Sequence, residues 1–340
     1  MKKMSQLSKK TYTHDKPPSA IAYACIGGKK EGQGPMRKYF DKISDDPYFT
    51  TDSFEKAESE MQKQAIMIAL RKANKKPEDV DFMLGGDLLN QCIGTSYSTR
   101  DIDIPFLGIY GACSTMAEGL LISSLLMSGG TGKLVLAVTS SHFCTAERQY
   151  RFPLEYGSQR TPTAQWTATA SGAVLLSNSG GAPYIRGATI GNLVDLGVTD
   201  ANNMGAAMAP AACDTIKSFL NDTNKKPTDF DLIVTGDLGL VGSNILYDLL
   251  EREGYNIRPN HKDCGLMIFD AESQDVHAGG SGCGCAASML TGYFLPKLQS
   301  GRLNNILFVA TGALMSPTIN QQGESIPSVA HAVWISHERY

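Results

Sequence analysis

Apolar residues along this chain fall into two kinds of run. In DSFEKAESEMQKQAIMIALRKA, residues 52–73, Phe54, Ala57, Met61, Ala65 and Ile68 recur every three or four positions, which predicts an amphipathic helix. Asp52 and Glu55 at its start have capping-box spacing. DFMLGG (81–86) and KLVLAVTSS (133–141) are instead short, nearly continuous apolar runs, as expected of strands buried on both faces. Between them a third run leads through Gly111 and Ala112 to Cys113, where a second helical pattern begins. The order recurs later as PAACDTIKSFLND (210–222), DLIVTGD (231–237), a helix after Cys285, and NILFVATG (305–312). Strands alternating with helices predict an α/β sheet covered on both faces.

The recurrence is visible in the residues themselves. NKKPEDVDFMLGGDL at 74–88 returns as NKKPTDFDLIVTGDL at 224–238, with nine of fifteen positions identical at an offset of 150. The segments starting at Cys113 and Cys285 match in apolar pattern at an offset of 172. Such a period is too long for a solenoid and predicts two duplicated halves, residues 1–180 and 181–340. The first half carries an N-terminal extension of roughly 20–50 residues.

Composition narrows the function classes. Of the 340 residues 42% are apolar, enough for a full core, and the net charge of −3 offers no general grip on nucleic acid. The eight cysteines lack zinc-site spacing, and a chain of this length needs no disulfide staples, which points to a reducing, cytoplasmic compartment. MKKMSQLSKK is basic but is followed by too short an apolar run for an export signal, and no run is long enough to span a membrane. No GxxxxGK[ST] loop or other cofactor motif accompanies the Gly279–Gly282 cluster.

Several stretches together are far more specific than any of these signals. They are GGDLLNQ (85–91), PFLGIYGACSTMAEG (105–119), SSHFCTAERQYRFPLEYGSQR (140–160), DLGVTDANNMGAAMAPAACDTIK (195–217), TGDLGLVGS (235–243), HAGGSGCGCAAS (277–288) and VATGALMSPT (309–318). In these the chain resembles the thiolase superfamily and, within it, the stage V sporulation protein AD family of endospore-forming bacteria. The resemblance implies a five-layer αβαβα fold and a homodimer. It implies a dipicolinic acid-binding protein, taking the acid alone or as its calcium complex, that helps move it into the developing spore. It further implies other subunits of a spore membrane channel assembly as partners, and a place at the spore inner membrane held through them. Calcium enters only as part of the ligand.

The same resemblance puts Cys113 where thiolases and ketoacyl synthases hold an acylated cysteine. A helix start favours a thiolate there through its free N–H groups and dipole. Condensation also needs a base and donors for an oxyanion. The family's histidine is absent from TGDLGLVGS, and Cys283 stands where ketoacyl synthase III-like enzymes carry an asparagine. His277 lies too early for a thiolase GHP sequence. An inherited pocket without its old catalysis is therefore expected; an active condensing enzyme, with Cys113 as nucleophile and His142 as base, is the alternative.

Candidate ligand residues follow from strand ends, where α/β sheets bind ligands. Asp87, Asn90 and Gln91 follow one strand, Asp237 its repeat, and His142 a third; each aspartate has the competing reading of a turn cap. Ser281, Gly282 and Cys283 form the glycine-rich turn. Asp87 is the candidate to complete a calcium oxygen shell. A planar dicarboxylate calls for guanidinium groups and flat faces. Arg148, Arg151 and Arg160, with Tyr150, Phe152 and Tyr156, supply both, and Arg148 is favoured as nearest to His142; the equal alternative is a surface loop that packs at a dimer interface. Met204 and Met208 are either helix core or a flexible apolar pocket wall.

Overall fold

The computed structural model describes residues 4–151 and 159–340. The first half contributes strands β1 (Ser19–Gly27), β2 (Phe82–Gly86), β3 (Phe106–Gly108), β4 (Leu134–Ser141) and β5 (Ala170–Ser177). The second contributes β6 (Tyr184–Thr189), β7 (Leu232–Thr235), β8 (His261–Asp263), β9 (Asn305–Ala313) and β10 (Ser328–Ser336). Across the molecule they run β8-β7-β9-β10-β6-β1-β5-β4-β2-β3. Read outward from the centre, both halves have the order first, fifth, fourth, second, third strand. The sequence repeat is thus a repeat of topology.

Two matched details show why the repeated motif folds the same way twice. Asn74 and Asn224 both take a left-handed conformation, φ 52° in each. The N–H groups of Lys76 and Lys226 both donate to an aspartate three residues on, Asp79 and Asp229, at 2.9 Å.

The principal helices are α1 (Phe54–Lys72), α2 (Ile93–Thr99), α3 (Thr115–Gly129), α4 (Phe143–Tyr150), α5 (Met204–Thr223), α6 (Gly239–Arg252), α7 (Cys283–Met289) and α8 (Pro317–Gln321). Three apolar cores separate the layers. One lies between α1 and the outer face of the first half-sheet, around Met61, Ile66 and Met83. Another lies between α5 and α6 and the second half-sheet, around Phe219, Leu246 and Leu307. The third surrounds α3 and α7 and joins Leu120 and Leu290 to Val174 of one half-sheet and Phe308 of the other. Helix, sheet, helix, sheet, helix is the five-layer arrangement, and it explains why α3 and α7 are apolar nearly all round.

The boundaries differ from expectation in three places. The cap of α1 is Ser53, whose side chain accepts from Lys56 N–H, while Asp52 forms an ion pair with Lys56. Cys113 lies in a 3₁₀ turn, Ala112–Ser114, ahead of α3, and Ala112 has φ 49°. The helix expected after Cys285 begins at Cys283. The N-terminal extension also crosses over: Thr11–His14 pairs with β6 of the second half.

Central-layer packing leaves little room. A Cβ on Gly172 of β5 would lie 2.7 Å from the backbone of Ala287 in α7. Gly172→Ala is expected to cost roughly 1–3 kcal/mol through overpacking. Urea denaturation of wild type and variant checks this.

Candidate functional site

The inner chamber has a volume of about 250 Å³ and opens between α4, α5 and α8. That volume suits a small ligand. Cys113 and Ser281 lie at its floor, and Leu88, Ala146 and Met315 give it an apolar wall. Among the described residues its charged lining is one pair, Glu147 and Arg151, 2.7 Å apart. The pair sits one turn apart at the end of α4. Arg151 is further held by Asn202 Oδ1 at 3.3 Å and the Gln165 carbonyl at 3.4 Å. Burial raises the Glu147 carboxyl, with Arg151 pulling the other way.

Beneath the floor lies Asp237, fully buried at the end of β7. One oxygen accepts from Gly282 N–H at 2.8 Å and Ser281 Oγ at 3.0 Å, the other from Thr311 Oγ1 at 3.1 Å. Ser281 Oγ is in turn 4.0 Å from Cys113 Sγ. Burial pushes the Asp237 carboxyl up to about 6, against the hydrogen bonds that favour its charge. The Cys113 thiol is driven well above its ordinary range, first by burial and then by the Asp237 carboxylate. The expected thiolate at a helix start is therefore corrected. The thiol precedes the helix, is buried, and has an anion rather than a cation beside it.

Cys283 also points away from chemistry with its neighbour. Its thiol donates to the Ser140 carbonyl at 2.9 Å. Gly282 adopts φ 102°, and a side chain there would collide with Ser141. Asp237, Gly282 and Cys283 thus shape the floor from behind, while Cys113 and Ser281 face the chamber.

The other predicted residues lie elsewhere. Asp87 is buried with both oxygens occupied: one accepts from Leu89 N–H at 2.8 Å, the other from Thr95 N–H and Oγ1, each at 2.7 Å. It is a turn cap facing the buried Glu58, and it lines neither the chamber nor the groove outside it. His142 caps α4, with Nδ1 accepting from Cys144 N–H at 3.1 Å and Nε2–H donating to the Pro47 carbonyl at 2.9 Å. Both ring nitrogens are committed, and burial lowers its pKa. Its expected place in the pocket, and the base role of the alternative, are corrected on that ground.

Arg148 points outward and forms an ion pair with Glu55. With Asn90 and Gln91 it lines an outer groove of about 740 Å³ instead of the chamber. The arginine at the chamber is Arg151, one turn further on. Arg160 pairs with Asp275 at 2.6 Å and lies over Trp166. Met208 is core, whereas Met204 reaches the chamber wall. Phe152 and Tyr156 lie outside the described residues. Gln165 and Glu147 were not anticipated; the Glu147–Arg151 spacing was the available signal for the latter. Among the described residues, no three His, Cys, Asp or Glu side chains gather as a metal site. No helix among them is long and apolar enough to cross a membrane.

The profile of the family Stage V sporulation protein AD matches residues 8–336. Stage V sporulation protein AD of Bacillus subtilis (strain 168) is 46% identical over 330 residues, covering 97% of each chain. The solved structure of 3-oxoacyl-[acyl-carrier-protein] synthase III from Aquifex aeolicus VF5 aligns with TM-score 0.56 at 14% identity, over 94% of this chain and 99% of that one. An OleA variant from Xanthomonas campestris aligns with TM-score 0.60 at 13% identity, over 94% and 98%. At such identities the two enzymes show the thiolase-type fold alone.

Two outcomes are expected. Asp237→Asn removes the anion beside Cys113, so the thiol pKa falls and alkylation near neutral pH accelerates by roughly three- to tenfold. Iodoacetamide labelling, followed at the Cys113 peptide by mass spectrometry, reads this directly. The second concerns stability. Burial raises Glu31 to about 7 and Glu58 to about 8. Each holds a proton in the folded chain where the unfolded chain has lost it, so acid favours folding up to those values. His14, His261 and His331, lowered to about 4 by burial, oppose this only below their ordinary value. The melting temperature should rise from about pH 9 to about pH 6.5, and Glu58→Gln should flatten the slope.

Proposed function

The chain belongs to the stage V sporulation protein AD family, and from that membership we propose a dipicolinic acid-binding protein that serves uptake of the acid into the developing spore, without condensing chemistry of its own. The observation that carries the reading is the chamber floor. The thiol at the ancestral nucleophile position has a buried carboxylate beside it, and the Gly282 N–H donates to that carboxylate. An enolate or acyl oxyanion needs donors and positive charge. Here the adjacent charge has the wrong sign, and the histidine nearest in sequence is a helix cap.

The chamber offers what a small planar acid requires. Arg151 presents a guanidinium for one carboxylate, and Tyr150 and the apolar wall give the ring a flat face. Neutral amides of Asn202 and Asn320 serve the rest of the ligand's polar edge. Glu147 lies beside Arg151 and offers an oxygen to calcium when the ligand arrives as its chelate. In this reading the protein works as a homodimer in the cytoplasm, held at the spore inner membrane by other subunits of a channel assembly.

Saturable dipicolinate binding by isothermal calorimetry is expected, with and without calcium. Loss of a charged hydrogen bond in Arg151→Gln should weaken it by about tenfold or more, while Arg148→Gln should change it by less than about threefold. Cys113→Ala should still bind. Incubation with acyl-CoA should leave the intact mass unchanged; an adduct that turns over and disappears in Cys113→Ser would instead establish the condensing enzyme.

A further inference from the structure

The predicted ligand residues divide between two cavities. Cys113 and Ser281 line the inner chamber, and Asn90, Gln91 and Arg148 the outer groove. The two share four lining residues, Tyr150, Met315, Pro317 and Gln321. The ring among them is Tyr150. Its hydroxyl donates to the Leu88 carbonyl and lies 2.8 Å from the Tyr110 hydroxyl. Gln149 beside it ties the same loop down, donating to the Leu88 carbonyl at 2.8 Å and accepting from Asn90 N–H at 3.0 Å. Tyr150 also packs against the apolar cluster that contains Cys113 and Cys283.

We propose that Tyr150 is the specificity-determining partition of the site: its ring closes the inner chamber against the outer groove and so sets the largest ligand the chamber accepts. Met315 and Gln321 are unbranched and adapt to a ligand, whereas an aromatic ring tethered at its tip by hydrogen bonds does not. Behind the ring the outer groove is a second compartment of the same passage, with the Arg148–Glu55 pair and the Tyr110 face at its disposal. A ligand the size of a single ring with two carboxylates fits the inner compartment alone. A ring carrying a bulky substituent needs both.

This rests on the chamber being the ligand site, but its test does not depend on dipicolinate. The Cys113 thiol serves as an internal reporter. Wild type, Tyr150→Ala and Tyr150→Phe are treated at about pH 9 with N-ethylmaleimide and with a bulky pyrene maleimide, and labelling is followed at the Cys113 peptide. In wild type the bulky reagent should lag far behind the small one. In Tyr150→Ala it should gain by about tenfold or more while the small reagent changes little. Tyr150→Phe, which keeps the ring and loses its tether, should fall between. A melting curve and labelling at Cys144 show whether either variant has loosened generally. Equal gains for both reagents, or no gain for the bulky one in a folded Tyr150→Ala, would overturn the partition. Binding of 4-phenyl-pyridine-2,6-dicarboxylate by Tyr150→Ala and not by wild type would extend it to ligands. Failure of wild type to bind dipicolinate, with the labelling result intact, would count against the proposed function and leave the partition standing.

Discussion

The buried carboxylate of Asp237 joins the parts of the site. It accepts from the turn that launches α7, through Gly282 and Ser281, and from β9, through Thr311. Its own carbonyl accepts from Gln165 Nε2 at 2.7 Å, and the same amide donates to Gly280 at 2.8 Å. Strand end, neighbouring strand, glycine turn and chamber wall are therefore held by one residue. A buried carboxylate with this many charge-assisted hydrogen bonds is rigidly placed. Loss of Thr311 Oγ1, the donor on one of its two oxygens, removes a charge-assisted hydrogen bond from a buried carboxylate.

The electrostatic consequence follows from the architecture. Cys113 lies at the centre of the five layers, between the two half-sheets, and is buried. In such a place burial and the charge of the nearest group together decide whether a thiol ionises. A cation there would prepare a nucleophile; here burial, reinforced by Asp237, keeps the thiol neutral. Among the described residues, the cation that lines the chamber is Arg151, at its wall and not beside the thiol.

The sequence made the large-scale order legible because duplication preserves what strands and helices need: apolar runs, turn asparagines, and aspartates that tie loops, as at Asp79 and Asp229. It was less informative about direction. Arg148 and Arg151 are one helical turn apart in the same segment, yet one pairs with Glu55 outside and the other reaches the chamber. Proximity to His142 pointed to Arg148, which lines the outer groove and not the chamber, because His142 itself is a cap whose ring faces Pro47. Which face of a short helix meets a cavity depends on packing partners distant in the chain, and for α4 these are Asn202 and the Gln165 carbonyl.

Asp87 and Asp237 show how one motif acquires two roles. Both follow a strand in the repeated Gly-Asp-Leu. In the first half Asp87 caps its own turn, and its oxygens are filled by Leu89 and Thr95. In the second half that duty passes to Asp263 of β8, which accepts from Leu238 N–H at 2.8 Å and Gly239 N–H at 3.1 Å. With its turn capped by another residue, Asp237 is free to reach the Ser281–Gly282 turn beside Cys113. The asymmetry of the site thus depends on a carboxylate one strand away from it, outside the chamber lining. A single chamber can arise from two copies of one fold when the copies differ in who caps the turn, even where the motif at the strand end is unchanged.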